Sequence, residues 1–186
     1  MVTLAAAGLL QACSGSKSTS STDSSATVTD SSKVTTVKTD STAVLTDTAF
    51  AAKAAVGGMA EVALGKMAAA KGVSKDIKDF GNMMVMDHGK ANAELTAIAK
   101  AKNITLPAGL DVEHQAKSDS LSKLSGADFD KAYAAAMVEG HKKTLALMQS
   151  EATNGKDAEL KGFAAKTAPV VQHHLDEILK IQGSLK

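Results

Sequence analysis

Ile77, Phe80, Met84, His88, Ala91, Leu95 and Ile98 recur every three or four positions. That is the period of a helix that buries one face and wets the other. It constrains the fold more than any other feature, because it returns in two later segments. Phe129, Tyr133, Met137, His141, Thr144 and Met148 form one further stripe, and Leu160, Phe163, Thr167, Val170, His174, Ile178 and Ile181 form another. Runs of β-branched residues are scarce after residue 45, while alanine and leucine abound. Both favour helix, so the expected class is all-α.

Local signals divide the pattern. A first helix is predicted over 47–71, with Gly72 ending it. Ser74 is placed to cap a second, which runs to Lys102. The extended "NITLPAGL" follows, where Pro107 blocks helix. A short helix is expected over 111–124. Ser125 to Asp128, "SGAD", reads as a capping box for a long helix to Thr153, and "NGKD" turns the chain into a last helix over 157–182. Pro169 lies inside that helix and should kink it just before His174. Two helical hairpins joined by a long connection with its own short helix make a ferritin-like four-helix bundle over residues 46–184. A plain up-and-down bundle with a broken loop uses the same elements.

Composition fits one such domain. The 186 residues are 44% hydrophobic but only 3% aromatic, so the core must be thin and closely packed. The net charge is +1 and every basic residue is lysine. Without arginine's planar fork, nucleic acid is not expected as the main partner.

The first 45 residues read differently. "VTLAAAGLL", residues 2–10, is too short to span a bilayer but fits a signal-peptide core. It runs into "LQAC", residues 10–13, a lipoprotein-like box with Ala12 before Cys13 and an atypical Gln11. No lysine or arginine follows Met1. The expectation is a signal peptide over 1–12 and lipidation at Cys13. A disordered serine- and threonine-rich tether over 13–45 follows, too poor in apolar residues to order itself. The implied partner is the membrane, reached through the N-terminal lipid. The implied address is the bacterial cell envelope, periplasmic or at the outer membrane. The alternative is a frayed apolar terminus with a chance cysteine.

The histidines carry the chemistry. His88, His141 and His174 fall on the apolar stripes of three different helices, each near its midpoint. Glu61 is near the middle of the first helix, among small residues. Packed side by side, such helices bring all four side chains to one level. Three imidazoles and a carboxylate make a shell for one transition metal ion: zinc, copper, manganese or iron. Met84 precedes His88 by four residues, as Met137 precedes His141, which adds two possible soft ligands suited to Cu(I). His114, on the short helix, is an outer candidate. The simpler reading is a core histidine that donates its ring proton locally, and methionine as core filler.

The segments "GGMAEVALGKMAA", "MVMDHGKANAEL", "LPAGLDVEHQ", "LSGADFDKAYAAAMVEGHKKTLAL" and "KGFAAKTAPVVQHHLDE" resemble the exported bacterial family called domain of unknown function 4142, over about residues 47–182. The resemblance implies a ferritin-like bundle and an envelope address, and it implies no particular activity. The family's motif residues correspond to Glu61, His88, His114, His141 and His174. A ferritin di-iron site needs a glutamate three residues before a histidine on two helices. Val85 and Val138 stand there instead, so a di-iron centre is not expected.

Three functions remain open on sequence. One is a metal-binding module of the envelope. The second is a tethered structural or interaction module whose histidines only pack and hydrogen-bond. The weakest is an enzyme, since no serine, cysteine or lysine stands beside a base as an activated nucleophile.

Overall fold

A computed structural model describes residues 45–185. The expectations for the signal peptide, the lipidated Cys13 and nearly all of the tether lie outside the described residues. The described chain forms helices α1 (Asp47–Lys71), α2 (Lys75–Ala101), α3 (Val112–Ser122), α4 (Gly126–Asn154) and α5 (Ala158–Ser184), with no strand among the described residues. These bounds match the sequence reading to about two residues, the usual scatter of helix ends.

Two carboxylates fix the directions of the long helices. Asp130, in the first turns of α4, accepts from the backbone N–H of Val73 (3.1 Å) and Ser74 (2.7 Å), at the start of α2. Asp47, the first residue of α1, accepts from the N–H groups of Lys156 and Asp157, both at 2.9 Å, at the start of α5. So α2 and α4 start at one end, called upper here, and α1 and α5 start at the other. α1 packs on α2 and α4, and α5 packs on α4 and α2, which leaves α1/α5 and α2/α4 as diagonals. Every neighbouring pair is antiparallel. The segment with α3 must return the chain along the bundle's length. That is the ferritin-like connection, and the plain up-and-down alternative is excluded.

The same bonds correct two details of capping. Ser74 and Ser125 hold the expected N-cap positions, but neither makes a side-chain capping bond. Asp130 supplies the acceptor for the α2 turn from another helix. A helix start only needs an acceptor for its orphan N–H groups, whatever its source.

The two hairpins α1–α2 and α4–α5 repeat one another. Asp47 and Asp130, Phe50 and Tyr133, Gly72 and Gly155, Ile77 and Leu160, Phe80 and Phe163, Leu95 and Ile178 are all separated by one interval along the chain. The contacts repeat too. Phe50 meets Phe163 edge-on at 6.4 Å between ring centroids, and Phe80 meets Tyr133 the same way at 6.4 Å. Each pair spans a diagonal and plugs one half of the bundle. The upper cluster includes Leu64, Ile77, Phe80, Met84, Phe129, Tyr133, Met137 and Ile178. The lower includes Phe50, Leu95, Met148, Leu160 and Phe163. Burying an aromatic or leucine-sized side chain stabilises by about 1.5–3 kcal/mol.

Two glycines set the α1–α2 spacing. A Cβ on Gly65 would lie 2.7 Å from the Gly81 carbonyl oxygen, and one on Gly81 would lie 2.6 Å from that of Gly65. Larger residues would force the hairpin apart. In α5 the helix runs unbroken through Pro169. Val171, not Val170, belongs to its buried stripe: Val171 is fully buried and Val170 is exposed. Ala164, Val171 and Ile178, seven residues apart and all fully buried, line up along the core face, and position 170 lies about 100° round the helix from that line.

Candidate metal centre

Between the two aromatic plugs sits a layer of imidazoles. His88 comes from α2, His141 from α4 and His174 from α5. They are 6%, 0% and 1% exposed. Their ring centroids lie 5.4–5.7 Å apart. Phe80 covers them from above, 5.9 Å from the His141 ring and 6.4 Å from that of His174. One ring nitrogen from each histidine lies within 4.8 Å of the other two. Three separate helices thus deliver three potential ligands to one point, as the stripes require.

Hydrogen bonds orient two of the rings. His141 Nδ1 lies 2.8 Å from the Met137 carbonyl oxygen. A carbonyl only accepts, so Nδ1 carries the hydrogen and Nε2 offers a lone pair. His174 Nε2 lies 3.1 Å from Asp87 Oδ2 and donates to it, which leaves Nδ1 with a lone pair. His88 Nε2, His141 Nε2 and His174 Nδ1 are buried with no hydrogen-bond partner among the described residues. An orphaned buried polar atom costs about 1–3 kcal/mol. One buried water has two hydrogens to give, and there are three nitrogens.

The electrostatics keep the His88 and His174 rings neutral. Burial, with help from the neighbouring His141 and His174, pushes His88 down to about 3. Burial lowers His174 to about 4, against the opposing pull of its Asp87 bond. Neutral imidazole is the form that binds metal.

Three buried nitrogens, two of them with lone pairs fixed by a hydrogen bond on the far side of the ring, one carboxylate behind a ligand ring and an apolar surround fit a transition metal. At metal–nitrogen distances of about 2.0–2.1 Å, tetrahedral angles put ligand nitrogens about 3.3 Å apart. The rings must therefore close inward by up to about an ångström. The donor set is all nitrogen, which suits zinc, copper or iron better than manganese, an oxygen-seeking ion. It lacks the bridging carboxylates of a di-iron centre.

Not every candidate joins the layer. Glu61 is 5% exposed, and its Oε1 lies 3.7 Å from His141 Nδ1, the nitrogen already engaged with Met137. It stands behind the ring, apart from the three-histidine group. Burial pushes its pKa above the usual carboxylate range, and His141, His114 and Lys117 pull the other way. Met84 and Met137 pack in the upper apolar cluster. His114 is away from the layer, on α3, with Nδ1 2.6 Å from Asp111. His173 is exposed. On sequence Asp87 is available as a carboxylate for a core histidine but is not assigned to His174. It adjoins His88 in the chain but points away from it, and so reaches His174 across the α2–α5 contact.

The layer breaks the internal repeat. The counterparts of His88, His141 and His174 are Val171, Gly58 and Ala91. A Cβ at Gly58 would lie 2.0 Å from Asn92 Oδ1, so the Asn92 amide fills the space that a side chain would need.

Comparisons with known proteins agree with the fold. The family model described as "Domain of unknown function (DUF4142)" matches residues 32–181. The crystal structure of a DUF305 fragment from Deinococcus radiodurans is similar, with a TM-score of 0.67 and 11% sequence identity. The match covers 75% of this chain and 96% of that one. At that identity the likeness concerns fold alone. No curated protein matches the chain.

Proposed function

The chain belongs to the DUF4142 family, and we propose that its bundle core is a mononuclear metal centre. His88, His141 and His174 bind one zinc, copper or iron ion through nitrogen. Asp87 holds the His174 ring in the binding tautomer, and the Met137 carbonyl does the same for His141. The single observation that carries this reading is the set of three buried ring nitrogens without partners, gathered from three helices. The surrounding bundle supplies a dry, shaped cage. Among the described residues no activated nucleophile stands beside it, and binding rather than turnover is the proposed role.

The proposed setting is the bacterial envelope. The "LQAC" box and the serine- and threonine-rich stretch after Cys13 support a lipid-anchored module held at a distance from the membrane. No described helix is long and apolar enough to cross a bilayer. Cys13→Ser should abolish incorporation of labelled fatty acid in cells.

Titration of chelator-treated protein with Zn²⁺, Cu⁺ and Fe²⁺ tests the site. We expect one ion per chain and a raised melting temperature, since an ion at about 100 times its Kd adds about 2.7 kcal/mol. His88→Leu should lose both effects. In the alternative reading the histidines serve packing only. His88→Leu would then match or exceed the native stability, and added metal would leave both proteins unmoved.

A further inference from the structure

A cleft of about 610 Å³ opens on the opposite side of His141, between α1, α4 and the segment bearing α3. Its walls are largely apolar, with Val56, Leu64, Met137 and Leu147 among them. Glu61 is the buried charged group in this lining, and its Oε2 has no hydrogen-bond partner among the described residues. Glu61 is 5% exposed, and Gly140 puts no side chain against its carboxyl on the α4 side: a Cβ there would lie 3.2 Å from Oε1.

Volume, apolar walls and one inward polar group are the attributes of a small-molecule pocket. The polar group sets the polarity of its occupant. A carboxyl oxygen without a donor is matched by N–H groups, and a protonated amine offers three. The rim gives little to an anion. Lys143 is paired with Glu113 and Glu139, and Lys117 with Glu139. Lys53, exposed at the rim, has no carboxylate partner among the described residues and is where an anion would pair.

We propose that this cleft binds an amphipathic primary amine, its carbon skeleton against the α1 and α4 walls and its ammonium on Glu61. The site is separate from the histidine layer and does not rest on metal binding.

The test uses the full chain in EDTA at pH 7.5, so that loss of metal binding and loss of amine binding are read apart. Backbone amide spectra are followed during titration with 2-phenylethylamine, 2-phenylethanol and phenylacetate. The amine should shift Gly57, Glu61, Gly140 and Thr144, and bind at least about tenfold tighter than the alcohol. Glu61→Gln should erase that preference. Gly57→Leu is the second variant. Gly57 lines the cleft and a Cβ there meets nothing within 4 Å, so the leucine side chain starts from open space and should block all three compounds in a folded protein. Equal or tighter binding of the alcohol or of phenylacetate would overturn the proposal. So would amine shifts mapping elsewhere, or no shifts at millimolar amine.

Discussion

The upper and lower halves of the bundle share one frame and differ in what they enclose. Each has an aromatic pair across a diagonal, and each has an aspartate that closes the opposite hairpin's turn. Just above the middle the upper half presents His88, His141 and His174, where the repeat puts Val171, Gly58 and Ala91. The lower half keeps its odd polar group at the end instead. Glu151 is 3% exposed and replaces the counterpart Ala68. The frame is therefore specified twice, and the imidazole layer once. Packing explains the shared residues. It does not explain three partnerless ring nitrogens on one side only.

The largest effects should come from the aromatic plugs. Phe80→Ala and Phe163→Ala should each cost about 3–5 kcal/mol in chemical denaturation, since each empties a core position. Only Phe80 touches the imidazoles, so only Phe80→Ala should also weaken metal binding. Equal effects on metal would dissolve the distinction between the halves.

The turn-closing aspartates come next. Asp130→Ala should destabilise by about 2 kcal/mol and Asp47→Ala by about 1 kcal/mol. Each aspartate accepts from two N–H groups, but Asp130 is almost fully buried and Asp47 only half-buried, so the N–H groups left unanswered at the start of α2 cost more. The reverse order would mean that the lower turn carries the hairpin contact.

The smallest effect is on pH dependence. Burial, followed by the nearby Asp47, raises Glu151 from 4.5 to about 7. A raised folded value gives stability that is full below pH 4.5 and lost as pH rises through about 7. His88 and His174 are depressed below 6.5, so their contribution is full above pH 6.5 and lost as pH falls toward about 4 and 3. Between pH 4.5 and 6.5 the two slopes oppose each other. Glu151→Gln should unmask the histidines, and metal-free protein should then lose stability more steeply with acid over that window. An unchanged slope would remove Glu151 from the balance.

Much of this was legible in the chain. The stripes gave three of the four long helices, composition and Gly72 gave the first, and the capping and breaking residues gave their ends, because these are local consequences of backbone geometry. The crossover followed from the length of the 102–125 connection. The three histidines converge because equal antiparallel helices align their midpoints. What escaped were contacts between residues distant in sequence. Asp130 and Asp47 cap turns that belong to the other hairpin, and Asp87 serves a histidine on another helix. Glu61 shares the level of the imidazoles but lies behind His141, since level alone does not fix the direction of a side chain. The Val170 expectation failed by one residue, a rotation of about 100° around the helix.

X-ray absorption spectroscopy of the protein loaded with one equivalent of zinc reads the central claim directly. The expected result is a first shell with three imidazole nitrogens at about 2.0–2.1 Å, reduced in number by His141→Ala. A shell of oxygens alone, or one that is unaltered when His141 is removed, would contradict it.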